Sequence, residues 1–317
     1  TTSISLQSVQ LAGQVERAST TSPEIAPIHF AEVAESSVPG GSVIQTTTGA
    51  ADQPVPRNGD EIELRVPEKF AVEAVASSQI GSLIKIEFDE FGRILASRES
   101  GGLIRIDLSL AMSDPGRVTL VCDQVQGVQG ILPLNGTVYV TGVGPDGMGI
   151  YLLRDDNTDG KFENVSKLCG IVGQPGEHGP HALQLGTDRM IYMLLGNHTQ
   201  LEGPLSDTSP LRRFYEGDLL PRYEDPSGHA AGVKAPGGTL VRISLDGKQR
   251  EIVAGGIRNA YSFAFNQQGD ILLHDSDMES DEGTSWYRPT QVFHAFAGAD
   301  FGWRSGWAKF PSYYPDM

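Results

Sequence analysis

The stretch Gly256-Ile-Arg-Asn-Ala-Tyr-Ser-Phe-Ala-Phe265 is followed directly by Asn266-Gln-Gln-Gly-Asp-Ile-Leu-Leu-His-Asp275. Apolar and polar residues alternate on both sides of Gly269, which predicts two strands joined by a tight turn. Arg258 and Asn259 stand immediately before the first of these strands. A guanidinium beside a carboxamide is rich in hydrogen-bond donors and suits the oxygen atoms of a flat, anionic molecule.

The same strand–turn–strand pattern occurs four times along the chain. Its copies are Ile84–Ser97, Gln129–Gly142, His181–Gly196 and Ser262–Asp275. Repeats of several short strands, spaced some forty residues apart, are typical of β-propeller blades. The turns of the four copies centre near Gly92, Gly136, Arg189 and Gly269. The last interval is the longest and leaves room for an insertion over residues 200–236, of the kind that often builds a binding site.

We therefore predict an all-β fold with two regions. Residues 1–58 are rich in Ser, Thr and Pro without a sustained period, which indicates a flexible arm or linker. Residues 59–317 form the β-propeller, of which about four blades can be counted. A propeller must close to remove its exposed edges, and the segment that leads to Met317 offers no closing strand. We expect the chain to be a C-terminally incomplete fragment.

Charge and cysteine content exclude several classes of function. The chain has 40 Asp and Glu against 24 Lys and Arg, a net charge of −16, which argues against nucleic acid as a partner. No apolar run reaches the roughly 18 residues that a membrane span needs. Cys122 and Cys169 form no C-x-x-C motif and lie in apolar surroundings. We predict buried thiols, with a disulfide between them as the alternative.

The third repeat opens with Glu177-His178-Gly-Pro-His181, on a loop that in a propeller faces the central channel. A histidine beside a carboxylate suits a general base, since the carboxylate can orient the ring and stabilise the imidazolium. Two alternatives stay open for this motif. One is a pair of hydrogen-bonded loop histidines, and the other is a metal site built from His178, His181 and His198.

Arg258 and Asn259 occupy the equivalent position in the fourth repeat. Since equivalent loops of a propeller lie at the same end, we expect this pair to face the same mouth as Glu177 and His178. The alternative is an arginine and an asparagine that join neighbouring blades.

Two acidic loops are candidates for a hard cation such as Ca²⁺, which prefers oxygen ligands. The segment His274–Glu282 holds five carboxylates in nine residues. The segment Asp155–Glu163 places Asp155, Asn157 and Asp159 at the D-x-N-x-D-G spacing of a calcium loop, without its flanking helices and twelfth-position Glu. For both segments the alternative is a solvated acidic turn.

An aromatic and arginine-rich region follows the acidic segment His274–Glu282. Trp286-Tyr-Arg-Pro289 and Ala299-Asp-Phe-Gly-Trp-Arg-Ser-Gly-Trp307 have the composition of a stacking platform for a planar cofactor or a sugar ring. Aromatic packing between blades is the alternative.

On these motifs the sequence resembles the glucose/sorbosone dehydrogenase family, from about residue 60 to the end of the chain. The family consists of soluble quinoproteins that use pyrroloquinoline quinone (PQQ) and Ca²⁺. The likeness is strongest to a planctomycete-type branch of membrane-bound dehydrogenases often fused to a cytochrome c domain. This resemblance implies a six-bladed propeller when complete, and a periplasmic or extracellular location.

The resemblance also implies roles for single residues. His178, preceded by Glu177 and eight positions before Gly186, matches the family's catalytic base. Ile-Arg-Asn-Ala stands where the family has His-Arg-Asn-Pro, so Arg258 and Asn259 would hold the quinone.

His181 and Trp303, the latter in the Asp-Phe-Gly-Trp match to the family's Asn-Tyr-Gly-Trp, are further candidates for cofactor binding. The chain departs from the family at Asp277 and Met278, where the family has a Gly-Pro pair whose carbonyls bind calcium. The site is then either rebuilt with the Asp277 carboxylate or lost.

The sequence therefore predicts an oxidoreductase that transfers hydride from a sugar or other alcohol to a PQQ-type cofactor. Electrons would pass to an external acceptor such as a cytochrome c. Two alternatives remain, and they differ in chemistry. One is a non-catalytic propeller that binds carbohydrate or protein at the channel mouth, and the other is a metal-dependent, lactonase-like hydrolase.

Overall fold

The computed structural model of the chain describes residues 70, 72, 74–213, 232–276, 280–281, 284–285 and 290–304. The predicted arm over residues 1–58 and the metal candidate Asp277 lie outside the described residues. So do Trp286–Pro289 and residues 214–231 of the insertion.

The described chain forms successive antiparallel sheets, which we call blades 1 to 4. A 3₁₀ turn, Ser78–Ile80, precedes blade 1. Blade 1 contains β1 (Leu83–Phe88), β2 (Ile94–Arg98), β3 (Leu103–Ile106) and β4 (Val118–Cys122). Blade 2 contains β5 (Gln126–Leu134), β6 (Thr137–Gly144), β7 (Gly147–Arg154), β8 (Asn164–Gly173) and, on its outer edge, β11 (Thr199–Leu201).

The two later blades follow the same up-and-down order. Blade 3 contains β9 (Pro180–Leu185), β10 (Ile191–Leu195), β12 (Gly238–Ile243) and β13 (Arg250–Ile257). Blade 4 contains β14 (Ser262–Phe265), β15 (Ile271–Asp275) and β18 (Gln291–Ala295). A separate two-stranded ribbon pairs β16 (Ser280–Asp281) with β17 (Thr284–Ser285).

Each predicted hairpin is the inner pair of strands of one blade. The four predicted turn centres all have a positive φ, between 63° and 90°, at Gly92, Gly136, Arg189 and Gly269. The left-handed region is open to glycine at little cost and strains other residues, which explains why glycine stands at three of the four positions. The sequence pattern therefore located both the strands and the turns between them.

Apolar side chains on both faces of the central strands join one blade to the next. In β10, Ile191, Met193 and Leu195 pack towards blade 2. The two residues between them, Tyr192 and Leu194, pack towards blade 4. Because successive side chains of a strand point to opposite faces, a strand buried on both sides reads as a continuous apolar run. This serial packing of sheets is the β-propeller arrangement that the repeats predicted.

The first strand of the insertion pairs with blade 2, although the insertion joins two strands of blade 3. After β10 the chain forms β11, which pairs with β8 and adds a fifth strand to blade 2. Residues 206–211 then run along β13 through main-chain bonds from Ser206 to Arg250 (2.8 Å) and from Leu211 to Ile252 (3.3 Å). The insertion thus covers the outer edges of two blades, and unpaired edges are otherwise sites of aggregation.

Both cysteines are free and buried, so the prediction of buried thiols is confirmed and the disulfide alternative is wrong. Burial raises the pKa of both thiols, which leaves them poor nucleophiles. Within the described ranges, no helix has the length and apolar character that a membrane crossing requires.

Candidate functional site

Three loops that are distant in sequence meet at one end of blades 3 and 4. The loop before β9 carries His178, the loop after β10 carries Asn197, and the loop after β13 carries Arg258. Main-chain hydrogen bonds connect them, from Gly196 to Gly179 (2.9 Å) and from Asn197 to Arg258 (2.9 Å). The structure therefore brings together the two motifs for which the sequence predicted a shared mouth.

His178 is buried and held by an amide. Its Nδ1 lies 2.5 Å from Oδ1 of Asn197, an atom that can only accept, so Nδ1 carries the proton of the neutral ring. Burial lowers the pKa of His178, and the guanidinium of Arg258 lowers it further. A neutral ring protonated at Nδ1 leaves a lone pair on Nε2, which is the form that a general base requires.

The structure records no hydrogen bond between the Glu177 side chain and the His178 ring among the described residues. The side chain of Glu177 is exposed, and its main-chain carbonyl accepts a hydrogen bond from Tyr261 Oη at 2.9 Å. The His178 ring instead donates its hydrogen bond to Oδ1 of Asn197, a residue that sequence reasoning missed. The position of Asn197 after a strand of blade 3 gave no local signal, because its partner lies 19 residues earlier on another loop.

His181 is a link between blades, and its predicted contact with a cofactor is not supported. The side chain has no exposed surface. Its Nδ1 meets the amide of Gln129 in blade 2, its Nε2 lies 2.7 Å from the Asn259 amide, and its ring stacks on Tyr261. Both ring nitrogens are therefore occupied. This is the hydrogen-bonded loop histidine that was one of the open alternatives.

Two side-chain amides enclose the His181 ring. Burial lowers its pKa to about 4, so the ring is neutral at pH 7 and has one N–H and one lone pair. Gln129 donates through Nε2 to Gly176 O at 3.0 Å, which leaves its Oε1 facing Nδ1 of His181. Nε2 of the ring faces the other amide oxygen, Oδ1 of Asn259, at 2.7 Å. That amide is consumed inside the protein and is 2% exposed, so it is not a free grip for a ligand.

Arg258 differs from its neighbour because it is only half-buried. Its Nη1 donates to Ser276 Oγ at 3.1 Å, and its positive charge acts on the His178 ring. The buried carboxylate of Asp275 fixes this loop by accepting the main-chain N–H groups of Arg258 (2.8 Å) and Asn259 (2.7 Å).

Asp275 opens the acidic segment in which the sequence predicted calcium. Its carboxylate is a structural anchor for the Arg–Asn loop, since charge-assisted bonds to two main-chain donors hold the backbone in place. Asp277, two residues later, lies outside the described residues, so the calcium prediction there stays a prediction.

Trp303 packs against Gly237 and Gly256, which lie immediately before β12 and near the end of β13. Its main-chain N–H donates to Gly256 O at 2.9 Å, and its ring lies so close to Gly237 that a Cβ there would collide with it. The buried indole Nε1 has no hydrogen-bond partner in the part of the chain that the structure describes. Packing between blades, one of the two readings of the aromatic region, accounts for these contacts.

The second predicted calcium loop is at the far end of blade 2. Residues 155–163 join β7 to β8, at the opposite end of the strands from the His178 loop. Ligand atoms of Asp155, Asp159 and Glu163 lie within 4.8 Å of one another. Several carboxylate oxygens already accept main-chain N–H groups, as Asp155 does from Gly160 at 2.8 Å. A cation there would stabilise the turn and could not touch a ligand at the His178 loop.

That triad is the only set of three potential metal ligands found in the residues that the structure describes. The alternative metal site of His178, His181 and His198 is therefore wrong. His198 stacks on His178 with ring centroids 4.5 Å apart, and His181 faces Gln129 and Asn259. Three imidazoles in these orientations do not converge on a common ion.

Comparison with known proteins found likenesses among solved structures. No family model matches the chain, and no curated protein matches it either. The PQQ-bound form of aldose sugar dehydrogenase from Streptomyces coelicolor is 16% identical, with a TM-score of 0.45, and covers 73% of this chain and 68% of its own.

The holo PQQ domain of pyranose dehydrogenase from Coprinopsis cinerea is 10% identical, with a TM-score of 0.44, over 69% of this chain and 51% of its own. A calcium structure of a carbohydrate-active enzyme from Trichoderma reesei is 13% identical, with a TM-score of 0.45, over 74% of this chain and 57% of its own. Identities this low transfer no residue's role to this chain.

Proposed function

We propose that the chain is an oxidoreductase that oxidises a sugar or other alcohol at the loops carrying His178 and Arg258, with a PQQ-type cofactor. The observation that carries this proposal is the neutral His178, held at Nδ1 by Asn197 beside a half-buried cation. Oxidation of an alcohol requires a base for the hydroxyl proton, and a cation stabilises negative charge that develops near it.

Each residue of this group has a defined task in the proposal. Nε2 of His178 accepts the hydroxyl proton, and the Asn197 amide keeps the ring in the tautomer that can do so. Asp275 holds the Arg258 backbone in place, and the guanidinium attracts anionic groups to the loop. When bound, PQQ would supply the two-electron acceptor for the hydride.

The donors present fit a tricarboxylate cofactor in part. Arg258 has N–H groups without a partner among the described residues, which could bind a carboxylate, whereas the amide of Asn259 is already committed to His181. In this proposal Arg258 holds the cofactor and Asn259 holds Arg258's loop to blade 3. Electron transfer to a cytochrome c and a periplasmic or extracellular location belong to the same proposal, and the family resemblance is their support.

The experiment uses the full chain with PQQ and Ca²⁺, a redox dye and a panel of aldoses. We expect dye reduction, together with a rise in the unfolding temperature on addition of PQQ. His178→Asn should lower kcat by about 100-fold or more and keep the PQQ-dependent rise. Arg258→Gln should remove that rise. His294→Asn, at an exposed histidine of blade 4, is the matched control and should change neither.

Two outcomes would overturn the proposal. One is the absence of both dye reduction and any PQQ-dependent stabilisation. The other is a tightly bound divalent ion, found by elemental analysis, with lactone hydrolysis in the absence of quinone. That second result would establish the hydrolase alternative.

A further inference from the structure

A cavity of about 510 Å³ is lined in part by Asn197 and His198, the two residues that contact the His178 ring. Its walls are the end of β8, the loop after β10, strand β11 and the described end of the insertion. The residues that line it and enter the argument are Gln174, Asn197, His198, Gln200 and Lys234. Pockets of 300 to 1,000 Å³ are the usual size for small-molecule ligands.

The cavity is connected to the base by direct contact. Asn197 hydrogen-bonds His178 at 2.5 Å, and His198 stacks on the same ring. Asn197 is 3% exposed, and its Nδ2 has no hydrogen-bond partner within the described ranges. A buried donor left without a partner costs free energy, which points to a polar ligand or an ordered water at this wall.

The shape of the cavity depends on a close approach of its walls. Gly173 has a φ of 124°, and a Cβ at this position would collide with the carbonyl oxygen of His198. The main-chain N–H of Gln174 donates to the same carbonyl at 3.1 Å. Glycine is therefore required where β8 meets the loop after β10. The amide side chains of Gln174 and Asn197 line the cavity beside this contact.

The lining has an unusual charge for this protein. The chain has 40 acidic and 24 basic residues, yet the lining residues that the structure describes include no carboxylate and do include Lys234. Amides and an imidazole bind hydroxyl groups through both donors and acceptors, and a lysine ammonium binds a carboxylate. A neutral sugar would use the amides and leave the lysine without a partner.

We propose that this cavity binds an acidic sugar, a uronic or aldonic acid, with its hydroxyl groups on Gln174 and Gln200 and its carboxylate on Lys234. The cavity adjoins the proposed site of oxidation through Asn197 and His198, and neither His178 nor Arg258 is among its described lining residues. The binding step itself requires no cofactor.

The test measures binding of glucuronate, gluconate and glucose to the chain without PQQ, by titration calorimetry. We expect glucuronate or gluconate to bind about tenfold more tightly than glucose, the effect of one charge-assisted hydrogen bond, and to weaken as salt is added. Lys234→Gln should remove this preference. Lys248→Gln, at an exposed lysine paired with Asp246, is the matched control and should keep it.

A third variant tests the hydroxyl contacts. Gln200→Ala should weaken the acid and the neutral sugar to the same extent, because it removes no charge. Equal affinity for glucuronate and glucose, or an acid preference that survives Lys234→Gln, would overturn the inference. Acid binding without dye reduction would contradict the oxidoreductase and leave this inference standing. Dye reduction with neutral sugars and no acid binding would support the oxidoreductase and overturn this inference.

Discussion

At the scale of single residues, neighbouring side chains of one motif have different tasks. His178 and His181 are three positions apart, and both are buried. Nε2 of His178 has no hydrogen-bond partner among the described residues, whereas both ring nitrogens of His181 have one. Only the first can take up a proton from a ligand. The second contributes to stability, and its titration can be measured.

The neutral state of His181 predicts a pH-dependent stability. Its pKa is about 4 in the folded chain against an ordinary value of 6.5. Below pH 6.5 the unfolded chain binds a proton that the folded site does not, so stability is complete above 6.5 and is lost as pH falls towards 4. The expected loss in free energy of unfolding over this window is about 3 kcal/mol.

Urea unfolding at a series of pH values between 7.5 and 4.5 measures this loss. His181→Gln should be less stable at pH 7.5 and should lose most of the slope. His178, whose pKa is also lowered, adds a smaller slope of the same sign. His294→Gln should keep the full slope. A wild-type free energy that is flat between pH 6.5 and 4.5 would contradict the burial of a neutral ring.

At the scale of single elements, the hairpin turns explain where substitutions will be tolerated. Three of the four inner hairpins have glycine at the position with positive φ, and the third has Arg189 at a φ of 63°. The left-handed conformation costs a non-glycine residue about 1 to 2 kcal/mol, and the greater flexibility of unfolded glycine returns part of that difference.

Arg189→Gly should therefore raise the free energy of unfolding by up to about 1 kcal/mol. The reciprocal variant Gly136→Ala, at a φ of 74° with open space around it, should lower it by a similar amount. Thermal unfolding of both variants against the parent chain is the measurement. A destabilised Arg189→Gly would show that the arginine makes a contact worth more than its backbone strain.

The outer strand of blade 3 depends on a buried carboxylate. Glu251 is fully buried and pairs with Arg242, and the hydroxyl of Thr208 in the insertion donates to it. Burial alone would raise its pKa, but the hydrogen bonds from Thr208, Gln249 and Arg242 outweigh it and lower the pKa below the ordinary 4.5. This carboxylate thus joins the insertion to the blade.

A lowered carboxyl pKa stabilises the fold above pH 4.5, and this contribution is lost as pH falls through the lowered value. Glu251→Gln should be destabilised by about 2 kcal/mol at pH 7, because the fully buried side chain loses its charge-assisted hydrogen bonds from Thr208 and Arg242, although Arg242 keeps Asp188 as a partner. The difference from the parent should shrink below pH 4.5, as measured by denaturant unfolding. Glu87→Gln, at a partly exposed position, is the control and should have little effect at any pH.

At the scale of the whole molecule, the blades differ in how much of each is covered. All five residues of β10 are buried, whereas buried and exposed residues alternate along β15. Leu272, Val292 and Phe296 are among the large apolar side chains exposed on blade 4. A central blade is thus packed on both faces, and blade 4 on one face among the described residues.

This difference predicts a gradient of local stability. Amides of β10 and β6 should exchange with solvent most slowly, and those of β15 faster, because opening a strand packed on one face exposes less apolar surface. Hydrogen exchange followed by mass spectrometry gives the order within one sample. Equal protection in β15 and β10 would show that further chain or a second molecule covers the outer face of blade 4.

The sequence by itself determined the blades of this protein. Alternating apolar residues and turn glycines act over two to five positions, so they specify hairpins wherever the chain carries them. The same local signals located the loops before β9 and β14, and with them His178 and Arg258. The resemblance to quinoproteins added a chemistry for these loops, which stays a proposal.

Only the tertiary structure decided which of those residues is available for chemistry. His181 and Asn259 are 78 positions apart and meet because blades 3 and 4 are adjacent, and Gln129 comes from blade 2. Asn197 and Asp275 likewise have their partners on other loops. Hydrogen bonds need atoms within about 3 Å, and such distances between distant segments are set by how whole sheets pack. The sequence placed the candidates, and packing separated His178, the proposed base, from the residues that link the blades.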